Sequence, residues 1–336
     1  MKIFVTGGAG FLGSWLIQDL LLTGHKVTSI DNMVGGYKDN VVIDSNHDFY
    51  EADILDLDKM SELMSGADII CHTAALAYEG LSVFSPTLVT NNIVTGTTAL
   101  ATAGIRSGVK RFVNCSSMAR YGVNCVPFTE NMAPRPHDPY GVAKYAAEMQ
   151  LDLLGETHGF DVVHAVPHNI IGPRQKYDDP FRNVASIMIN MMLQGRQPII
   201  YGDGSQMRCF SFVEDDLFVF RKLIDCDLHE HGEKFNVGPD EEFVTITELA
   251  QKIAMLLDFD LNIEYHDARP CEVKLASCSA DKIRKRFGYE TKTTLEQGLL
   301  SIIDYIKTRG PRKFTYHLPI EIHTKALPRA WKERLF

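Results

Sequence analysis

Several features missing from this chain narrow what it can be. No GKS or GKT tripeptide occurs, so its glycine-rich turn is not a phosphate loop of that type. There is no basic excess. The 43 Asp/Glu outweigh 34 Lys/Arg for a net charge of -9, which argues against nucleic acid as a partner. No apolar run is long enough to cross a bilayer, and Lys2 leads directly into a strand-like run, so neither a membrane span nor a signal peptide is expected. The seven cysteines lack paired metal-ligand spacing, and several, such as Cys71 and Cys115, fall inside core-like strands. This predicts a reduced, cytoplasmic protein. His229 and His231 lie in an acidic stretch with no matched third ligand, so no metal is expected. Internal repeats and low-complexity tracts are also missing.

What is present begins at residue 2. Residues 2–6 are a short apolar, β-branched run, residues 14–22 have helical apolar spacing, and Gly7, Gly10 and Gly13 lie between or at the junction. Strand, glycines and helix in this order form a dinucleotide cradle: a tight turn, a close backbone approach to a pyrophosphate, and a helix packed near the strand with its positive dipole end at the phosphates. A second strand, 27–30, ends in Asp31, placed to accept hydrogen bonds from an adenosine ribose and to repel a 2′-phosphate. NAD is therefore expected over NADP.

Further strand-like runs at 49–52, 68–72, 111–115 and 162–166 alternate with helical patterns, which predicts an α/β fold with a doubly wound parallel sheet of Rossmann type. Long helices are expected near 86–108 and 139–158, and they are candidates for a homodimer surface. From Pro167 the alternation stops and Gly, Pro and polar loops become frequent. The expected division is an NAD-binding domain over 1–166, rejoined by about 212–240, and a smaller α/β substrate domain over 167–336, with ligands beyond the carboxyl ends of the strands.

Tyr140 and Lys144 are four residues apart and share a helical face. A nearby ammonium favours a phenolate, an oxidised nicotinamide adds a second positive charge, and the pair then supplies a base near neutral pH. Ser117 follows the strand ending at Cys115, so its hydroxyl sits at the carboxyl edge of the sheet, able to relay or orient the substrate proton.

With these residues in view the chain resembles, over nearly its whole length, the extended short-chain dehydrogenase/reductases of the nucleotide-sugar epimerase/dehydratase type. The matching motifs are GGAGFLG at 7–13, Asp31, residues 52–54, HTAA at 72–75, NIVTGT at 92–97, SSMARYG at 116–122, PYGVAK at 139–144, NIIGPR at 169–174, YGDGSQMR at 201–208 and ARP at 268–270. The resemblance implies Ser117, Tyr140 and Lys144 as the catalytic triad. It implies a cofactor site of Gly7, Gly10, Phe11, Leu12, Gly13, Asp31, Asn32, Asp53, Ile54, Ala74, Ala75 and Asn92, together with Tyr140 and Lys144. On the substrate side it implies Ser117 and Tyr201, with Asn169, Arg208 and Arg269 gripping a nucleotide-sugar diphosphate.

Departures from sister families narrow the reaction. The 4,6-dehydratases and uronate decarboxylases of this kind carry acidic residues just after the catalytic hydroxyl, and the 3,5-epimerases carry Cys; here those positions are Met118 and Ala119. The expected reaction is 4-epimerisation of a UDP-hexose or UDP-N-acetylhexosamine through a 4-keto intermediate, with NAD regenerated in each cycle. A 4-dehydrogenase or 4-keto reductase shares these catalytic residues. A uronate 4-epimerase would need an extra donor, for which Arg120 is a candidate against a surface salt bridge. A catalytically silent NAD-sensing protein on the same fold is the rival outside enzymes. In strict UDP-galactose 4-epimerases a bulky Tyr a few residues after the arginine at Arg269 restricts the pocket; here the corresponding stretch is Ala276, Ser277 and Cys278, leaving room for an N-acetyl group. Residues 307–336 carry eight Lys/Arg against two Glu. This segment is expected to fold back over the acidic body, the alternative being an acidic partner or an anionic membrane surface.

Overall fold

The computed structural model describes residues 1–225 and 231–336. Its centre is a seven-stranded, all-parallel sheet. The strands β1 (Lys2–Thr6), β2 (Lys26–Asp31), β3 (His47–Glu51), β4 (Ile69–His72), β5 (Arg111–Cys115) and β6 (Asp161–Pro167) are joined by strand Glu233–Val237 in the order Glu233–Val237, β6, β5, β4, β1, β2, β3. The inner strands are buried on both faces, as continuous apolar runs in parallel sheets require. Edge strand β3 is largely exposed.

Helices α1 (Phe11–Leu22), α2 (Leu57–Leu63), α3 (Glu79–Ser82), α4 (Pro86–Thr90), α5 (Gly96–Arg106) and α6 (Pro139–His158) cover this sheet or border its carboxyl edge. Helix α6 spans the predicted residues. It starts at an Asp138 N-cap with Pro139 in its first turn and ends at Gly159 in the left-handed conformation.

The long helix expected near 86–108 runs without a break from Pro86 to Arg106 but changes its winding on the way. A π-helical segment, Asn91–Thr95, separates α4 from α5. Its wider turn shifts the helix face, so that Val89 and Ile93 pack towards α6 while Leu100, Ala101 and Ala103 pack under the sheet.

The chain crosses to a second layer after β6. Helices Val184–Leu193, Ile246–Leu257 and Leu295–Arg309 share one apolar core, and the last two begin with reciprocal capping boxes at Thr245/Glu248 and Thr294/Gln297. Helix Val213–Asp225 instead packs with α1 against the sheet, directly before the strand Glu233–Val237. His231 donates to the Asp152 carbonyl at 2.6 Å, and His229 lies outside the described residues. Among the described residues no cluster of His, Cys, Asp and Glu could hold a metal, and no helix is long and apolar enough to cross a membrane.

Candidate active site

A cleft of about 390 Å³ runs along the carboxyl ends of β1, β2, β4 and β5 and under the second layer. At one end lies the glycine turn. Gly7 and Gly8 donate to the Ile30 carbonyl at 2.8 and 3.0 Å, which fastens the turn to β2. A Cβ on Gly13 would fall 2.1 Å from the Gly7 carbonyl oxygen, so only glycine lets α1 begin this close to the turn. Asp31 is buried and locked: one carboxylate oxygen accepts from Ala9 N at 3.0 Å and the other from Met33 N at 2.7 Å. Burial raises its carboxyl pKa, and these backbone bonds oppose that. Each oxygen retains acceptor capacity for a ribose hydroxyl.

Gly7, Gly10, Phe11, Leu12, Gly13, Asp31, Asn32, Ile54, Ala74, Ala75 and Asn92 all line the cleft. Asp53 does not; its carboxylate accepts from Asn32 Nδ2 and from Leu55 N, both at 3.0 Å. Asn92, on the π-helical segment, accepts from Leu76 N at 2.8 Å and so fixes the loop after β4. The arrangement fits a dinucleotide: a helix N-terminus approached by bare backbone, an acidic ribose acceptor at the end of β2, and an apolar wall at Ile54 and Ala52.

The chemical centre is built by β5 and α6. Ser117 caps a short 3₁₀ turn, its hydroxyl accepting from Ala119 N at 3.2 Å. A Cβ on Gly141 would fall 2.6 Å from the Ala119 carbonyl oxygen, so glycine in the first turn of α6 lets this helix settle onto the Ser117 turn. Tyr140 is thereby brought beside Ser117, with its backbone N–H donating to Ser82 Oγ at 3.1 Å. Lys144 Nζ donates to the Cys115 carbonyl at 2.8 Å and lies 6.0 Å from the centroid of the Tyr140 ring. All three side chains are at least nine-tenths buried. Burial pushes the Tyr140 phenol well above its ordinary value; the Ser117 hydroxyl opposes this, while Glu79, Cys115 and Asp138 add to it. Burial lowers Lys144, against Cys115 and Glu148.

Beyond this centre stand the substrate-side residues. Asn169, in the left-handed region at φ 39°, donates to the Cys209 carbonyl at 2.9 Å. Arg208 donates to the carbonyls of Met207, Val273 and Lys274. Arg269 pairs with Glu272 at 2.8 Å and stacks over the Tyr201 ring at 4.8 Å. A side chamber of about 50 Å³ opens between them, lined in part by Glu79, Met118, Asp138, Glu272 and Ala276.

Sequence reasoning missed Glu79 and Asp138, because each sits among residues that read as helix-start chemistry. Glu79 is accessible within the cleft, yet burial raises its carboxyl well above the usual carboxylate range; Asp138 and Glu272 reinforce this while Arg208 and Arg269 oppose it. Arg182 was also missed. It lines the cleft, stacks over Tyr78 at 4.6 Å and donates to the Gly35 carbonyl at 3.2 Å, bridging the second layer to the cofactor side.

Arg120 is neither a surface residue nor in the cleft. It is 3% exposed and pairs with Glu148 at 3.0 Å, off the hydrogen-bond axis, and its guanidinium lies over the Tyr121 and Tyr145 rings. Ser116 Oγ donates to the other oxygen of Glu148, so this buried group ties the end of β5 to α6 directly beneath Ser117 and Lys144.

A dinucleotide cradle with a Ser-Tyr-Lys constellation at the carboxyl edge of a parallel sheet defines an extended short-chain dehydrogenase/reductase. Residues 3–238 match the model of the NAD dependent epimerase/dehydratase family, and the chain belongs to that family. It is 32% identical to UDP-glucose 4-epimerase of Mycolicibacterium smegmatis, over 92% of this chain and 100% of that one. Among solved structures it is similar to UDP-N-acetylglucosamine 4-epimerase from Methanobrevibacter ruminantium in complex with UDP-N-acetylmuramic acid: 29% identity, TM-score 0.84, 92% of this chain and 99% of the other. It is likewise similar to UDP-glucuronic acid 4-epimerase from Bacillus cereus in complex with UDP-glucuronic acid and NAD, at 26% identity and TM-score 0.86 over 92% and 100% of the two chains.

Proposed function

We propose that this protein is an NAD-dependent 4-epimerase of a UDP-sugar whose hexose carries no carboxylate. The observation that carries this reading is the meeting of Ser117, Tyr140 and Lys144 in a cleft that also holds Arg208 and Arg269. Bound NAD supplies a reversible hydride acceptor for C4 of the sugar. Tyr140 takes the 4-hydroxyl proton, directly or through Ser117, and returns it when the 4-keto sugar, turned within the pocket, is reduced from its other face. Lys144 Nζ, 6.0 Å from the centre of the Tyr140 ring, would together with a positive nicotinamide offset the burial that raises the phenol. Arg208 and Arg269 bind the diphosphate, Asn169 and Tyr201 flank it, and the cradle with Asp31 holds the cofactor.

The relatives differ in their sugars, and the side chamber discriminates among these. Glu79, Asp138 and Glu272 line it beside Arg208 and Arg269, and with the two arginines engaged by a diphosphate the carboxyl groups disfavour a uronate. Buried Ala276 leaves its wall small, which admits an N-acetyl group.

One observation favours a second reading. Glu79 brings to the sugar pocket the proton-accepting carboxyl that Met118 and Ala119 do not supply, and with a raised pKa it could assist 4,6-dehydration. Incubating the purified protein with UDP-glucose, UDP-GlcNAc and UDP-glucuronate and following products by NMR separates these. C4 epimers of the first two, with UDP-glucuronate untouched, are expected; a 4-keto-6-deoxy product establishes dehydration, and a turned-over uronate refutes the charge argument. We also propose a homodimer through α6, whose Val142, Met149 and Leu153 are exposed on the helix surface.

A further inference from the structure

The segment after helix Leu295–Arg309 is a strap that belongs to both halves of the molecule. It starts on the second layer, where Asn190 exchanges hydrogen bonds with the Arg312 backbone at 2.8 and 2.9 Å and Thr315 N donates to the Asp178 carbonyl. It then crosses the cleft's rim to the sheet side. Ser85 Oγ donates to the Pro319 carbonyl at 2.7 Å, and the Glu321 carboxylate caps α4 by accepting from Thr87 N and Leu88 N at 3.0 Å. Leu327 and Trp331 sink into a core with Leu76, Tyr78, Leu81, Phe84 and Phe181. The chain finally turns back. Arg196 holds the Leu335 carbonyl, Tyr316 Oη receives the Phe336 N–H at 3.3 Å, and the Phe336 ring lies 5.6 Å from that of Phe314.

This route delivers Phe336 into the main cleft, packed with the cluster of Ile187, Ile199 and Tyr201. Tyr201 also underlies the Arg269 guanidinium. One cleft therefore holds the reacting residues, two arginines suited to phosphate, and an apolar stretch where a ring from the strap forms part of the wall. Tyr201 Oη and Gln206 Oε1 there, and Trp331 Nε1 behind them, are buried polar atoms with no partner in the chain. The family model ends at residue 238 and says nothing of this segment.

We infer that the strap completes the nucleotide end of the substrate site, with Phe336 packing against the planar base of the nucleoside diphosphate. An apolar end bounded by Ile187, Ile199 and an aromatic ring, with unpartnered polar atoms close by, matches a base, which offers a flat apolar face and a polar edge. The basic segment thus folds inward as part of the site. This inference rests on the proposed nucleotide-sugar substrate.

Phe336→Leu, which keeps apolar packing on Phe314 but removes the ring face, and Phe336→Ala test it in the full chain with its bound cofactor. Calorimetric titration with UDP should show about 10- to 100-fold weaker binding in both variants, the range expected for a lost base–aromatic contact. Pyrophosphate affinity, NAD content and melting temperature should stay as in wild type for Phe336→Leu. Unchanged UDP affinity in both variants overturns the inference, as does an equal loss for UDP and pyrophosphate, which would mean that the strap only supports the fold. If wild type binds UDP but yields no epimer, the proposed reaction fails while this inference stands. If wild type binds none of UDP, dTDP, CDP or GDP, both fall.

Discussion

The two ends of the cleft differ in how fully their polar groups are partnered. At the cofactor end almost every polar side chain is already committed to the backbone: Asp31 to Ala9 and Met33, Asn92 to Leu76, Ser117 to Ala119, Lys144 to Cys115. At the substrate end Asn169 and Arg208 also hold backbone carbonyls, but Tyr201 Oη and Gln206 Oε1 have no partner in the chain, and no described residue donates to the Glu79 carboxylate. The proposed reaction gives this difference a purpose. A cofactor that stays bound through every cycle is served by a rigid, preorganised frame. A sugar that must turn over between two hydride transfers is served by groups that can change partners.

The largest expected effect lies at the rigid end. Tyr140→Phe should lower turnover by about 10² to 10⁴, the usual contribution of a general base, while leaving NAD bound; near-normal rates would remove Tyr140 from the mechanism. Arg120→Ala addresses the support beneath it. Breaking the buried Arg120–Glu148 pair should cost about 3–5 kcal/mol of stability, measured by denaturant unfolding. A loss under about 1 kcal/mol would show the pair to be energetically neutral.

Gly141→Ala sharpens the comparison further. Its Cβ would meet the Ala119 carbonyl at 2.6 Å, so α6 must back away from the Ser117 turn. A displacement of this kind should lower kcat about 10²-fold with KM for the sugar nucleotide little changed. An equal rise in KM would instead couple the two ends. The smallest effect is expected at the adaptable end, where Ala276→Tyr should penalise UDP-GlcNAc relative to UDP-glucose by about 1–3 kcal/mol in kcat/KM. Equal losses on both sugars would place the N-acetyl group elsewhere.

The sequence was most legible where one short segment suffices. Strand, glycines and helix over residues 2–22 are local, and so is the Tyr140–Lys144 spacing. The doubly wound parallel sheet followed from alternation alone, because each inner strand carries its own buried apolar run. Features needing a partner distant in sequence were not legible. The π-helical turn at Asn91–Thr95 reads as ordinary helix until α6 and the sheet demand different faces of it. Arg120 reads as a surface cation until Glu148, on the next helix, meets it in the interior.

What the sequence by itself determined, then, is the class of protein: an α/β fold with a glycine-rich turn for a dinucleotide and a Tyr140–Lys144 pair on one helix, both set by spacings of a few residues. Tertiary structure alone decided the environment of these residues. It brought Glu79 from α3, Asp138 from the start of α6 and Ala276 from the second layer to one small chamber, and it carried Phe336 back to a cleft whose glycine turn begins at residue 7. Composition assigns such residues no role, because a carboxyl group or a ring acquires its pKa and its ligand only from the neighbours that folding supplies.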